Sequence, residues 1–395
     1  MVNTVRTPGP APMTDEARRS QLAQLHDQVA SMSTWGFWGE DPDDEHQATD
    51  KLQENPRKAV PFIWRYADLH PILLRAAELI PMTVSERRSL MLINPALGPA
   101  KATLTTLIAA YRINVVDETM PPHRHSPNAI RLGLTGDTNF TGVQGENITF
   151  GPGDLVLTPQ DTWHNHGNGP DEASVNLSVL DIPLVEFLNS MYFEFDYRED
   201  EGGKTVPKTE QTSRVPADYS QRVYGVGGLL PRTVDHNRGS GTCSPMFVYR
   251  WESISLLLDR LHDHDGSPFE GIVIEYVNPV TGGPTYKTMT FFAQLLRPAE
   301  RLLPVRQSMN QLFTVFSGQG RTIIDGTVFQ WEPFDTFCIP GGSWYKHEND
   351  SDTNDAVFFV SSDEPTLRAL GLSAKYGRDR NGDAVLIESA RSIGE

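Results

Sequence analysis

Three histidines carry the most specific chemistry in this chain. His123 and His125 stand two apart in PPHRHSPNAIRLGLTG (121–136), and His164 follows in GPGDLVLTPQDTWHNHGN (151–168). Side chains on an extended strand alternate between its faces, so an H-x-H turns both imidazoles to one side. A third imidazole from a neighbouring strand completes a three-nitrogen set. Three neutral imidazoles on one side of a divalent ion leave its other side open to substrate and oxygen. That is the layout of a catalytic metal site, not of a closed structural one. His262 and His264, in RLHDHDGSP, repeat the spacing. They fall at the C-terminus of an expected helix, where residues two apart do not share a face and cationic His is favourable, so they read as a capping, solvated feature.

The elements that must position the trio read as short extended runs broken by Gly, Pro and Asp, from about 102 to 182 and again from about 286 to 362. This is the signature of an all-β sandwich or barrel. Helices are expected from Thr14, with Leu22, Leu25 and Val29 on one stripe, over Pro71 to Ile80, over Leu184 to Met191, and over 252–262. The stretch 36–66 reads mostly as loop, and a strand is expected at 271–277.

The second run of strands repeats the first. Pro122/Pro304, Arg124/Arg306, Ser126/Ser308, Asn128/Asn310 and Gly136/Gly318 coincide at an offset of 182. One deletion later, Gly145/Gly326, Pro152/Pro333, Asp154/Asp335, Pro159/Pro340, Trp163/Trp344, His166/His347 and Asn168/Asn349 coincide at 181. Most of these are turn formers, which set hairpin geometry, so the chain holds two barrels of one kind. The chemistry is not repeated: His123, His125 and His164 face Val305, Gln307 and Tyr345. One metal per chain, in the first barrel, is therefore expected. The aromatic interior of the second (Phe313, Phe316, Phe329, Trp331, Phe337) reads as ordinary core. Asp154 and Asp335 read as turn residues after Gly153 and Phe334.

The 395 residues, 38% hydrophobic and 22% charged, suit a globular protein of two or more core units. A formal charge of −17 argues against nucleic acid or an anionic membrane as partner, though local arginines can still attract an anionic substrate. Cys243 and Cys338 read as buried free thiols in a reducing compartment. No apolar leader or membrane-spanning run is legible, which makes the cytoplasm the expected location.

The H-x-H, followed by Gly153-x5-Pro159-x4-His164-x3-Asn168, resembles the two cupin motifs, and the duplication resembles a bicupin. HRHSPNAIR, PGDLVLTP, WHNHGN, LDIPL (180–184) and YVNP with the following TGG (276–283) resemble the gentisate 1,2-dioxygenase group, which includes salicylate and 1-hydroxy-2-naphthoate dioxygenases. The acidic ligand usual in cupins is replaced by Ala129 and Ile130, and this group likewise uses three His without a carboxylate. The resemblance implies a mainly β fold of two jelly-roll barrels with an N-terminal helical extension. The expected division is 1–95 extension, 96–185 metal-binding barrel, 186–275 linker with a helix, 276–365 metal-free barrel and 366–395 tail. It also implies an Fe(II) enzyme, a homotetramer, that uses O2 to cleave an aromatic ortho-hydroxycarboxylate between its carboxyl- and hydroxyl-bearing carbons. Gentisate is the first choice of substrate, with 1-hydroxy-2-naphthoate and salicylate as alternatives. A Mn- or Zn-dependent cupin isomerase and a non-catalytic binding module are the competing classes. The first of these normally adds a carboxylate ligand.

Roles carried over from the resemblance place iron on His123, His125 and His164. Arg131, an even offset from His125, would hold the substrate carboxylate or the oxygen being activated; a structural ion pair is its alternative. His166 would hydrogen-bond the substrate hydroxyl or move a proton, or else is a buried structural histidine like His347. Arg87, in preference to Arg88, would add a positive charge near the pocket. Arg112 stands where the group is expected to have Gln; it either joins the pocket or pairs with Asp117 or Glu118. Gln160-Asp161-Thr162 replaces an aromatic found in many gentisate enzymes, which points to a wider or more polar pocket.

Overall fold

The computed structural model describes residues 14–34, 58–81, 88–241 and 243–389. It contains two units, Met1–Arg57 and Lys58–Glu395. In the first, a helix spans Asp15–Ser31. Thr14 caps it by accepting from the Ala17 N–H at 3.3 Å, and Asp15 and Glu16 occupy its first turn. None of its side chains is buried.

The second unit holds both barrels. Its first half runs β1 (Phe62–Trp64), a helix Tyr66–Leu79, β2 (Ser89–Met91), β3 (Ile108–Asn114), β4 (Arg124–His125), β5 (Ala129–Thr135), β6 (Asn139–Val143), β7 (Glu146–Phe150), β8 (Leu155–Thr158), β9 (His164–Asn168) and β10 (Ser174–Leu180). After the helix Ile182–Phe187 come β11 (Phe193–Glu194), the hairpin β12 (Arg198–Glu201) and β13 (Lys204–Pro207), and β14 (Val248–Tyr249). The helix Trp251–Leu261 opens the second half. It is followed by β15 (Ile272–Glu275), β16 (Thr290–Leu296), β17 (Val305–Gln307), β18 (Gln311–Ser317), β19 (Gly320–Ile324), β20 (Thr327–Trp331), β21 (Thr336–Ile339), β22 (Trp344–Asn349) and β23 (Ala356–Ser362). Two more strands, β24 (Ala374–Arg378) and β25 (Ala384–Ser389), end the described chain.

The two barrels exchange edge strands. One sheet has the order β14-β8-β5-β10-β3-β2, and its counterpart is β1-β21-β18-β23-β16-β15. Thus β1 precedes the first barrel in sequence but pairs in the second, and β14 precedes the second but pairs in the first. The repeat therefore extends further than its turn residues indicated: β1 with its helix matches β14 with its helix. Two segments read as linker and tail also belong to the sheets, since β11 pairs with β4 and β24 with β17. The tight turns follow the repeat. Gly136 and Gly318 both have positive φ (70° and 86°), and a Cβ on either would lie within 2.7 Å of Ser174 or Ala356.

Asp154 and Asp335 sit at their turns, and they also clamp the exchanged arms. Asp335 accepts from the Tyr66 N–H and from Arg65 Nη1, each at 2.8 Å. Asp154 accepts from the Trp251 N–H at 2.8 Å and from Arg250 Nη1 at 2.7 Å. This explains why the helix expected from Pro71 begins at Tyr66 instead. Its first donor is satisfied by a carboxylate distant in sequence, a cap that no local pattern reveals. Asp335→Ala should lower stability by roughly 2–4 kcal/mol, through loss of a helix cap together with a partly buried ion pair. Urea denaturation measures this, and a midpoint equal to wild type would rule the clamp out.

A second reciprocal contact joins the halves. Asn128 donates from its backbone and side chain to Asp181, which also accepts from Thr288. Asn310 binds Asp363 in the same way, and Asp363 accepts from Thr106. Each barrel thus lends a threonine to the other's buried Asn–Asp pair. One apolar core runs across both halves, including Leu132, Leu177, Phe291 and Phe359. No described helix is long and apolar enough to cross a membrane.

Candidate metal centre

The centre is built where β4 meets β9. His123 and His164 exchange backbone hydrogen bonds, each 2.9 Å, and the His125 carbonyl accepts from the Asp161 N–H at 2.8 Å. These bonds hold the H-x-H extended, so His123 and His125 face inward while Arg124 faces out. The ring centroids of His123 and His125 lie 4.4 and 4.7 Å from that of His164. All three side chains are buried, and one nitrogen from each lies within 4.8 Å of the others.

Backbone carbonyls select the tautomers. Nδ1 of His123 meets Pro121 O (3.3 Å), that of His125 meets Pro127 O (2.8 Å), and that of His164 meets Thr162 O (2.8 Å). A carbonyl only accepts, so each Nδ1 carries a proton, and in the neutral ring this leaves Nε2 to present a lone pair. His164 Nε2 is buried with no hydrogen-bond partner. Burial, with the two neighbouring imidazoles, holds the His164 ring well below the usual histidine range, so it is neutral and ready to ligate. An orphaned lone pair on His164, clustered with two further imidazoles, fits a divalent transition metal. No carboxylate joins the cluster among the described residues; Ala129 and Ile130 are buried in the barrel wall instead.

Arg131, on β5, is fixed from two sides. Its Nη1 donates to Ser178 Oγ at 2.7 Å, and its Nη2 donates to His166 Nε2 at 3.1 Å. Guanidinium cannot accept, so His166 carries its proton on Nδ1, which donates to Thr141 Oγ1 at 2.9 Å. Burial and the Arg131 charge keep the His166 ring well below its ordinary range. Both of its nitrogens are thus engaged with protein, and it braces Arg131 from behind. His347 makes the matching Nδ1 bond to Thr322 at 2.8 Å, so this part of the motif is architecture shared by both barrels.

A cavity of about 200 Å³ opens onto His123 and His125. His123, His125, Arg131 and Arg112 supply its polar wall; Ile108, Ala110, Leu180 and Phe193 supply its apolar wall. Arg112 therefore reaches the pocket, held by a bond from Nε to Asn114 Oδ1 at 3.1 Å and lying against Met120 Sδ. Its alternative partner Glu118 is engaged by Arg88. Arg88 is buried against Glu118 and the Ile80 carbonyl and does not line the cavity. Arg87 lies outside the described residues. Sequence reasoning missed Ser89, Ile108, Ala110, Ser178, Leu180 and Phe193. Period-two alternation through Arg112 on β3 would have found Ile108 and Ala110, and the register pairing Ser178 with Arg131 would have found Ser178. Nothing local marks Phe193.

The same place in the second barrel is filled. Val305 pairs with Tyr345 just as His123 bridges His164. Tyr345, Gln307 and Gln311 close a buried hydrogen-bonded triangle over a stacked Phe313–Phe337 pair. Burial without a compensating ion pair holds the His347 imidazole down at about 3, against an ordinary 6.5. The unfolded chain therefore binds the extra proton first. Stability contributed by neutral His347 is full above pH 6.5 and declines as pH falls toward 3, by up to ~1.4 kcal/mol per pH unit. His347→Gln should flatten the urea midpoint against pH by that one proton, and an unchanged slope would contradict the assignment. His262 meets Asp355 at 3.1 Å on the surface, and Arg297 caps the adjacent carbonyls of His262 and His264.

Comparison with known proteins places these features in context. The family described as Cupin domain matches residues 113–182 and 294–362. The chain is 35% identical over 378 residues to a 5-aminosalicylate 1,2-dioxygenase of Comamonas sp, covering 93% of this chain and 94% of that one. It is 33% identical to gentisate 1,2 dioxygenase 1 of Aquipseudomonas alcaligenes, covering 79% and 85%. A crystal structure of salicylate 1,2-dioxygenase from Pseudoaminobacter salicylatoxidans with gentisate superposes with a TM-score of 0.78 at 27% identity, covering 96% of this chain and 98% of that one.

Proposed function

We propose, for a chain that belongs to the gentisate 1,2-dioxygenase group of ring-cleaving bicupins, that it opens a 5-substituted salicylate using O2 and Fe(II) held on Nε2 of His123, His125 and His164. Gentisate is the first choice. One observation carries the reading: the imidazoles of His123 and His125, with His164 packed against both, share one apolar-backed cavity with the guanidiniums of Arg131 and Arg112. That arrangement suits an aromatic ring bearing a carboxylate. The relatives point the same way, since one is named for 5-aminosalicylate and a structural neighbour holds gentisate. Both compounds carry an electron donor para to the ring hydroxyl, which eases electron loss from the ring.

His123, His125 and His164 would hold the iron, which would supply Lewis acidity toward the substrate's oxygens and an electronic link between the ring and O2. The bond between the carboxyl- and hydroxyl-bearing carbons breaks, and two new C–O bonds form, so both oxygen atoms stay in the product. Arg131 orients the carboxylate and stabilises negative charge on oxygen as it develops. His166 keeps the plane of that guanidinium fixed. Arg112 adds a second cation to the wall, and Ile108, Ala110 and Leu180 exclude water from the ring face. The same reading has the enzyme act in the cytoplasm as a homotetramer.

The test is anaerobic Fe(II) reconstitution followed by oxygen uptake with gentisate, 5-aminosalicylate, salicylate and 1-hydroxy-2-naphthoate. The two 5-substituted acids should give the highest kcat/KM. If iron-loaded protein consumes no O2 with any of the four, the proposal is wrong. If the naphthoate is the best substrate, the choice of acid is wrong.

A further inference from the structure

Arg124 lies between two members of the imidazole trio yet points away from it, and the sequence gives it no part in the chemistry. Outside the barrel it gathers two separate segments. Its Nε donates to Glu194 Oε2 at 2.6 Å, on β11. Its Nη1 donates to Asp161 Oδ1 at 3.2 Å, and its guanidinium lies 5.1 Å from the Trp163 ring, both in the loop leading to His164. Tyr192 OH donates to the same Asp161 oxygen at 2.5 Å, closing the circuit. Asp161 itself is fixed by its N–H to the His125 carbonyl.

The segment so held, Tyr192–Phe195, is a strap along the free edge of β4. Ser126 and Tyr192 exchange hydrogen bonds at its start, and Phe193 then pairs with His125 and Glu194 with Arg124. Strand alternation sends Tyr192 and Glu194 to the outer, latched side and Phe193 and Phe195 to the other. The Phe193 ring stands edge-on to His125 at 5.4 Å, and Phe195 stacks on His123 at 6.1 Å. The two phenyl rings are parallel within 10° at 6.4 Å, and Phe193 lines the cavity.

We infer that Arg124 is a positioning residue for ring cleavage. Through Glu194 and the Asp161–Tyr192 pair it holds an aromatic strap against the imidazole trio, so that Phe193 forms one wall for the substrate ring. The inference rests on the functional reading above. A lone exposed ion pair contributes little, but one guanidinium shared by two carboxylates and an indole ring is a network whose loss frees the strap. The outward position of Arg124 separates this role from metal ligation. Its loss is therefore felt in substrate binding and not in iron content.

The experiment compares wild type, Arg124→Gln, Arg124→Lys, Glu194→Gln and Phe193→Ala. Arg124→Gln should raise KM for gentisate on the order of tenfold, with kcat changed less than threefold and iron content unchanged. Arg124→Lys should recover part of the loss, because it restores charge without the fork. Combining Arg124→Gln with Phe193→Ala should add little to either alone. A second readout needs neither iron nor turnover: chymotrypsin should cut the metal-free protein at 192–195 several-fold faster in Arg124→Gln. Glu194→Gln, a surface change that spares β4, should move KM and proteolysis in the same direction. An unchanged KM in both variants, additive effects in the double variant, or unchanged proteolysis would each overturn the inference. Absence of ring opening in wild type would instead overturn the functional reading, leaving proteolysis to decide on the latch.

Discussion

His164→Ala should leave a folded protein that retains no iron and opens no ring. The imidazole is wholly buried, its Nε2 meets no protein partner, and the other two ligand nitrogens face it across less than 5 Å. Two imidazoles from one short extended segment cannot fix the geometry of a divalent ion that the third, on the adjacent strand, completes. The backbone pairing of His123 with His164 does not depend on the side chain, so the strands stay in register. His125→Ala should behave alike. Metal analysis after reconstitution should fall from one iron per chain to none, and oxygen uptake should fall to the reagent background, with the circular dichroism spectrum preserved. A variant that keeps stoichiometric iron would remove His164 from the ligand set.

Arg131→Ala should keep its iron and still lose on the order of 10²–10³ in kcat/KM, the usual cost of removing one preorganised charge-stabilising donor. The guanidinium is pinned by Ser178 and His166 on the same wall as His123 and His125, so its orientation is set before substrate arrives. Arg131→Lys should recover only part, because an ammonium cannot bond Ser178 and His166 while also presenting a fork to a carboxylate. His166→Ala should show a milder version of the same defect, since it loosens Arg131 without removing the charge. Wild-type kcat/KM in Arg131→Ala would sink the assignment.

Much of this centre was legible because its information is local. An H-x-H on a strand fixes a face, and the repeat showed where the same positions had lost their ligands. His166 was harder. Its spacing from His164 gives the face, but only the contacts with Arg131 and Thr141 show that its ring nitrogens are used by the protein. Phe193 and the start of the helix at Tyr66 were not legible. Each depends on a partner far away in the chain, His125 for one and Asp335 for the other. The exchange of β1 and β14 was hidden for the same reason: an edge strand of two or three residues has the same sequence whichever barrel receives it.

That exchange bears on how the chain can be shortened or can diverge. A fragment carrying the whole imidazole trio but ending before β14 would lack the strand that borders Val156 and Leu155, and a fragment lacking β1 would leave Phe337 and Cys338 with an unpaired edge. Neither half can be dissected away as an independent miniature enzyme. The silent barrel was free to lose its ligands, but not to disappear.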